Sequence, residues 1–526
     1  MKLLACDGLH ETGLALLQSA EGIQVDLGDS LSAAEIEARI GNYDAVIVRS
    51  RTKVTAKLLE RASRLRVIGR AGTGVDNIDV AAASSKGILV MNTPGANATA
   101  AAEHTMAMML ALARHIPQAN QSMREGRWEK KQFMGTELFH QTLGIIGLGR
   151  IGSIVADRAL GMKMDVLGYD PYILPEAAAI LGVEWVSLEE LLARADFITL
   201  HTPSTEETRK ILNRKTLAQT KAGVRIINCA RGDLVDEEAL LESLVSGHVA
   251  GAALDVFNKE PPTDSPILKL PNVVSTPHLG ASSLQAQANV ARNIAAQILD
   301  YLFQGIIRNA VNFPSIRPKD YERIKPYLVL ADRLGRLQGQ MCTPPQRLEI
   351  EFGGPDFQEI PTQPLTQSVI KGLLDPILSE KVNLVNAPLL LKERQIELVT
   401  STTSEGRGYT GTITVRVRGR EAECSAAATV FQEGEIRLVR LNNYRLEAEL
   451  DGINLVIQNL DKPGTIGFIG TTLGHHSVNI ADMHLSRTPE RDRAVAIIRL
   501  DQPAPPEAME ALRKHPNILS VQQVTI

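Results

Sequence analysis

LGIIGLGRIG, residues 143–152, decides how the central part of the chain folds. Its first half reads as a short apolar strand, and its second half opens a helical stretch, RIGSIVADRAL (150–160). Gly147 permits a tight turn, Gly149 lets backbone come close to a pyrophosphate, and Gly152 lets the helix lie close on the strand. Phosphates then sit at a helix N-terminus, where unbonded N–H groups favour negative charge. Asp170 ends the next strand, 18 residues beyond Gly152. A carboxylate there would bond both ribose hydroxyls and repel a 2′-phosphate, and Pro171-Tyr172 supply no arginine to neutralise one. The expectation is a dinucleotide domain near residues 96–282 that takes NAD rather than NADP.

Outward from this core, short β-branched runs alternate with Ala/Leu-rich helical patterns up to about residue 310. VIVRS (46–50), LRVIGR (65–70), ILVMN (88–92), DVLGYD (165–170), FITLH (197–201), VRIINCA (224–230), AGAALDVF (250–257) and NVVSTP (272–277) read as strands. Helical stretches such as 99–114 and 237–246 separate most of them. This alternation predicts an α/β architecture with two Rossmann-like, doubly wound parallel sheets. A break is expected at 312–318, where two prolines within five residues would stop the last helix. Beyond it come a helix near 325–340, a proline-spotted middle, and period-two strands at 410–419 and 435–442, an α+β pattern with an antiparallel sheet. The final segment reads strand 453–459, helix 464–473, strands 479–486 and 494–500, helix 506–514 and strand 518–525. That order, βαββαβ, is the ferredoxin-like unit.

Composition narrows the function classes. At 526 residues the chain divides into three or four domains of roughly 150 residues each. Lys and Arg total 56 against 60 Asp and Glu, a net charge of −4, so nothing draws nucleic acid or an anionic membrane through bulk charge. The four cysteines, Cys6, Cys229, Cys342 and Cys424, form no CxxC pair. Neither a metal site nor a disulfide framework is expected, and a reducing, cytoplasmic compartment fits. The N-terminal stretch MKLLACDGLHETG is broken by Asp7 and Glu11, so no export signal is expected. The apolar stretch 98–116 carries Glu103, His104 and Arg114 and reads as a buried helix.

Three residues downstream of the glycine loop each follow a predicted strand: Arg231, Glu260 and His278. Carboxyl ends of parallel strands are where open α/β sheets bind ligands. A guanidinium grips an α-carboxylate bidentately. A histidine near neutral pKa takes a hydroxyl proton, and a carboxylate bonded to it fixes its tautomer and raises its pKa. Spacing alone leaves open a surface arginine, a turn glutamate and a locally satisfied histidine. Arg49-Ser50-Arg51-Thr52-Lys53 offers three cations, two hydroxyls and free backbone N–H groups as a phosphate cradle, with Arg51 and Arg49 ahead of Lys53; a solvated loop explains the same charges.

With these motifs stated, GRAGTGVDNIDV (69–80), LGIIGLGRIG (143–152), NCARGDLVDEEAL (228–240), ALDVFNKEPP (253–262) and TPHLGAS (276–282) closely resemble the D-2-hydroxyacid dehydrogenases. Within that family the chain looks most like the long form that oxidises 3-phospho-D-glycerate to 3-phosphohydroxypyruvate at the start of serine synthesis. The resemblance spans the whole chain and implies a discontinuous substrate domain, about 1–95 with 283–314. A nucleotide domain at 96–282, an intervening allosteric-substrate-binding-like domain at 315–449 and an ACT domain at 450–526 complete it.

The resemblance implies roles residue by residue. Arg231 would bind substrate, Glu260 support the histidine, and His278 act as acid and base. Cofactor contacts would include Thr73, Arg150, Ile151, Asp170, Thr202, Cys229, Ala230, Arg231 and Asp255, and the turn His278, Leu279, Gly280 and Ala281. Asp255 would bond the nicotinamide carboxamide, and Cys229 would contribute backbone and packing rather than a nucleophile. Gly72, Thr73 and Gly74 would offer amides to the substrate carboxylate, with Arg49, Ser50 and Arg51 at the phosphate. Asn459, Asp461 and Asn479 would hold an effector, L-serine in the family, with the helix start at Gly464 facing its carboxylate. A homodimer or homotetramer is implied. Two other functions compete: another D-2-hydroxyacid dehydrogenase, such as a hydroxypyruvate or glyoxylate reductase, and a nucleotide-sensing regulator. The two extra C-terminal segments argue against the first. The lack of a helix-turn-helix or basic stripe argues against the second.

Overall fold

Four β-sheets follow one another along the chain in the computed structural model, which describes all residues but 315, 317, 407, 421, 432 and 433. The first is wholly parallel, in the order Gln24–Leu27, Lys2–Ala5, Ala45–Val48, Val67–Arg70, Leu89–Met91. Its two N-terminal strands carried no expectation. Each has only four residues, and Gln24–Leu27 is an edge strand with no fully buried side chain, so no apolar period marks it. The chain returns to this sheet much later, as helix Leu284–Gln304. Its Ile294 and Ile298 sit over Gly69, where an added Cβ would lie 2.5 Å from Ile298 Cδ1. That helix ends at Gly305, in the left-handed region at φ 71°, and not at the prolines. A glycine C-cap stops a helix without steric cost, so it acts before the prolines are reached. The expected break at 312–318 runs through residues 315 and 317, which lie outside the described residues. Phe313, before them, packs in the first core, and Ile316, between them, packs in the third.

The second sheet has seven parallel strands: Val273–Ser275, Val249–Leu254, Val224–Asn228, Phe197–Leu200, Thr142–Ile146, Asp165–Tyr169 and Glu184–Trp185. Strand order reverses beside Thr142–Ile146, which places a crevice at the carboxyl ends of that strand and Phe197–Leu200. Helices Ala98–Ala113 and Arg150–Gly161 pack together there. Among the described residues no helix is long and apolar enough to cross a membrane.

The third sheet is mixed and six-stranded, with Pro345–Gly353 paired parallel to Glu397–Thr403 and antiparallel to Thr412–Gly419. Helices Pro318–Met341 and Gln363–Leu374 share its core. The fourth sheet is antiparallel, in the order Ile480–Arg487, Arg493–Leu500, Ile453–Leu460, Ile518–Thr525, the ferredoxin-like arrangement. Strand alternation gives its two faces different partners. Leu455, Ile457, Ala496 and Ile498 meet helices Thr465–His475 and Pro506–Lys514, whereas Val456, Val495 and Ile497 join the third core. The architecture is therefore two Rossmann-like units, an α+β unit and a ferredoxin-like unit. The third unit also touches the first: Asn383 Nδ2 donates to Gly87 O at 2.8 Å, and Val385 is buried in the first core.

Candidate active site

Loops from the carboxyl ends of the first two sheets face each other across a cleft with adjoining cavities of about 330 and 250 Å³. The glycine loop forms one wall. Gly147 has φ 97°, and a Cβ on Gly152 would lie 2.0 Å from the Gly147 carbonyl oxygen, so strand and helix meet with no room for a side chain. A Cβ on Gly149 would meet nothing within 4 Å, and no side chain caps the helix that starts at Arg150. Asp170 stands beside this opening, accepting from the N–H groups of Leu148 and Tyr172, each at 2.9 Å. An open approach, an uncapped helix start and a carboxylate at the next strand end fit NAD. The Arg150 guanidinium reaches across to the carbonyl of Pro94, where the chain passes between the two sheets.

Thr73, Arg150, Ile151, Thr202, Cys229 and Ala230 line the larger cavity, as do Arg231, Asp255, His278, Gly280 and Ala281. Leu279 contributes through its backbone, donating to Asp255 Oδ1 at 2.7 Å, while its side chain is exposed. Burial pushes the Cys229 thiol up to about 12, which leaves it un-ionised. Asp255 is fully buried. Its oxygens accept from Thr276 Oγ1 at 2.6 Å and from Leu279 and Gly280 N–H at 2.7 and 2.8 Å, so it pins the turn that carries His278. A carboxamide would share Asp255 with that turn. His104, which the sequence reading passed over, adds a contact to Asp255 at 3.3 Å.

His278 lies in the left-handed region at φ 55°, and its Nδ1 is 2.8 Å from Glu260 Oε2. Glu260 Oε1 accepts from Phe257 N–H at 3.2 Å. The hydrogen bond that His278 donates to Glu260 raises the His278 pKa above its ordinary value near 6.5; partial burial opposes this, and the Glu260 charge adds to it. For Glu260, burial works upward, but the hydrogen bond and charge of His278 hold its carboxyl below the usual range. Arg231 Nη1 donates to Ala230 O at 2.7 Å, and Nε meets Asp76 Oδ2 across the cleft at 3.2 Å.

On the facing sheet, Arg49, Ser50 and Gly72 line the smaller cavity together with His278 and Glu260, and Thr73 and Gly74 line the larger one. Three expectations are corrected here. The N–H groups of Arg49 and Thr52 are not free, because both donate to Asp7, at 2.9 and 3.0 Å. The N–H of Gly72 is taken by Arg70 O at 2.9 Å, which leaves Thr73 and Gly74 as the amides that loop offers. Arg51 turns from the cleft to Asp7 Oδ1 at 3.2 Å and Asp29 O at 2.8 Å. Arg70 lines both cavities, and its buried Nε has no protein partner. Burial, and then the Arg231 charge, lowers its pKa. The sequence held the signal for it: Arg70 ends a strand, as Arg231 nearly does, but the glycines beside it drew the reading.

In the C-terminal unit Asn459 lies within strand Ile453–Leu460, as expected, and is 2% exposed. Asp461 pairs with Arg487 Nε at 3.3 Å, and Asn479 Nδ2 donates to Asp501 Oδ2 at 2.6 Å. Among the described residues no group of three or more His, Cys, Asp or Glu is placed to hold a metal.

Three family models match in order. They are the D-isomer specific 2-hydroxyacid dehydrogenase NAD binding domain at 106–280, the D-3-phosphoglycerate dehydrogenase intervening domain at 323–442, and the ACT domain at 453–517. A D-3-phosphoglycerate dehydrogenase from Synechocystis is 44% identical over 98% of this chain and 92% of its own length. One from Methanocaldococcus jannaschii is 42% identical over the full length of both chains. Among solved structures, an NAD-dependent formate dehydrogenase from Staphylococcus aureus in complex with NAD has a TM-score of 0.53 and 30% identity. That match covers 58% of this chain and 96% of the other. With its NAD-binding, intervening and ACT segments in this order, the chain belongs to the D-3-phosphoglycerate dehydrogenase family of D-isomer-specific 2-hydroxyacid dehydrogenases.

Proposed function

We propose that the protein oxidises 3-phospho-D-glycerate at C2 to 3-phosphohydroxypyruvate, the first step of L-serine synthesis. The observation that carries this reading is the His278–Glu260 contact at 2.8 Å, in a cleft shared with Arg231 and the cation-bearing loop at Arg49. With Nδ1 on Glu260, Nε2 of His278 is left to take the C2 hydroxyl proton, and the Glu260 carboxylate offsets the charge that forms on the ring. Arg231 holds the substrate carboxylate through Nη2, against which Gly74 leaves no room for a Cβ; that atom would lie 2.1 Å away. Thr73 and Gly74 amides complete the carboxylate site, Arg49 and Ser50 take the phosphate, and Arg70 adds positive potential between them. Gly147, Gly149, Gly152, Arg150, Ile151 and Asp170 hold NAD, which when bound supplies the acceptor for the hydrogen leaving C2 with its electron pair. Closure of the cleft excludes water from the reacting atoms.

The segments 1–95 with 283–314, 96–282, 315–449 and 450–526 act in this reading as substrate, nucleotide, intervening and ACT domains. L-serine is the proposed effector, with Asp461 for its ammonium group, Asn479 as donor and acceptor, and the helix start at Gly464 for its carboxylate; no side chain caps that helix. Asn459, sealed in its sheet, stays outside this site. Exposed Ile116, Trp128, Met134 and Phe139 beside the nucleotide domain support a homodimer there, with a tetramer as the larger assembly. Four free cysteines, three of them buried, support a cytoplasmic setting. The test is NADH appearance from NAD and 3-phospho-D-glycerate, coupled to product removal, with and without millimolar L-serine. Turnover that serine suppresses supports both ends of the proposal. Turnover without suppression removes serine as the effector, and no turnover despite NAD binding removes the substrate.

A further inference from the structure

Strand order in the first sheet reverses between Lys2–Ala5 and Ala45–Val48, and the residues just past the carboxyl ends of these two strands meet at that point. Asp7 follows the first strand and residues 49–52 follow the second. Asp7 Oδ2 accepts the N–H groups of both Arg49 and Thr52, while Oδ1 accepts Thr52 Oγ1 at 2.6 Å and Arg51 Nε at 3.2 Å. From the opposite side, Asn77 Nδ2 donates to the carbonyls of the same two residues, Arg49 at 2.8 Å and Thr52 at 2.7 Å. The loop's two ends are thus bonded on both their donor and acceptor sides, and its crown carries Ser50 and Arg51. The Asp7 side chain is 3% exposed and sits on a residue at φ 67°, a conformation that a non-glycine residue keeps only where its surroundings over-determine it. Arg49 Nη1 in turn donates to Gly8 O at 3.1 Å, which holds the guanidinium at the mouth of the smaller cavity.

We propose that Asp7 and Asn77 are positioning residues that clamp residues 49–52 into a pre-formed phosphate loop. They confer on the cleft its preference for a phosphorylated hydroxy acid over the same acid without phosphate. The proposal rests on the reading of Arg49 as a phosphate ligand. Neither clamp residue touches substrate; each acts through the loop. A pre-set loop binds a phosphate without first losing conformational freedom, which is where the selectivity arises. Asn77 also belongs to the 72–77 loop that faces the substrate carboxylate, so the two ends of the substrate are held from one rigid piece.

The experiment compares Asp7→Asn, Asn77→Ala, the double variant and Arg49→Ala in the full-length protein. It measures KM and kcat for 3-phospho-D-glycerate, the inhibition constant of D-glycerate, NAD affinity and the melting temperature. The expected result is a rise of about tenfold or more in KM for each clamp variant, with kcat, NAD affinity and the D-glycerate constant within about twofold. The double variant should add little to the worse single one, because both release the same loop. If Arg49→Ala raises KM and the clamp variants do not, the clamp is overturned and the phosphate reading stands. If Arg49→Ala leaves KM unchanged, the phosphate reading fails and the proposal with it. Loss of D-glycerate and NAD binding in parallel with KM would make the role merely structural and overturn it.

Discussion

Glu260 and His278 stand 18 residues apart in the chain and meet side chain to side chain at 2.8 Å. They are brought together because the strands before them, Val249–Leu254 and Val273–Ser275, are parallel neighbours and release the chain at the same end of the sheet. Asp255, which directly follows the first of these strands, pins the histidine turn, and Phe257 N–H holds the other glutamate oxygen. The imidazole thus presents a fixed nitrogen to the cleft.

That pairing predicts a pH profile. On the proposed mechanism His278 acts in its neutral form in the oxidative direction, and Glu260 raises its pKa above about 6.5. Turnover should therefore rise with pH through a midpoint above 6.5, and Glu260→Gln should move that midpoint downward while lowering kcat by about 10- to 100-fold. The sign for stability is opposite. A raised histidine pKa stabilises the fold below the unfolded value and loses that contribution as pH climbs through the folded one. Glu260→Gln should accordingly cost more melting temperature at acid than at alkaline pH. A pH profile with an unmoved midpoint would remove Glu260 from this role.

His278→Ala should reduce kcat by about 10²- to 10⁴-fold while NAD affinity, measured by fluorescence titration, stays close to that of the parent. Equal loss of both would show that the residue shapes the turn instead of moving the proton.

Two glycines in one loop should respond in opposite ways. At Gly152 a methyl group collides with the Gly147 carbonyl, so Gly152→Ala should lower stability by about 1–3 kcal/mol in denaturant titration. At Gly149 the methyl group meets open space, so Gly149→Ala should melt like the parent yet bind NAD at least about tenfold more weakly, because the pyrophosphate loses its approach. Unchanged NAD affinity in Gly149→Ala would place the pyrophosphate elsewhere.

Asp170→Ala should narrow the preference for NAD over NADP, read as the ratio of kcat/KM values. An unaltered ratio would take Asp170 out of cofactor selection. Because the carboxylate also accepts Leu148 N–H at 2.9 Å, a modest fall in melting temperature should accompany the change.

Much of this was legible in the chain because the signals were local. The strand-glycine-helix order around 143–170 carries its own geometry, and the βαββαβ rhythm at the C-terminus is periodic enough to read. Asp7, Asn77, Asp76 and His104 were not legible. Each is an ordinary polar residue whose meaning comes from partners distant in sequence: Asp7 from Thr52, Asp76 from Arg231, His104 from Asp255. The free amides expected at 49–53 failed for the same reason, since a carboxylate 42 and 45 residues away takes two of them. Asn459 was read correctly as a strand residue, but that its side chain is buried and not open to a ligand depends on the packing of the strands around it.

The turn that carries His278 runs into Ser283, which caps the helix returning the chain to the first sheet. The other passage between the sheets lies at Pro94, under the Arg150 guanidinium. These two threads are the covalent links between the first and second sheets, and His278 stands only five residues before the Ser283 cap of one of them. A swing of one sheet against the other about these threads would move the mouth of the cleft further than it moves the His278–Glu260 contact.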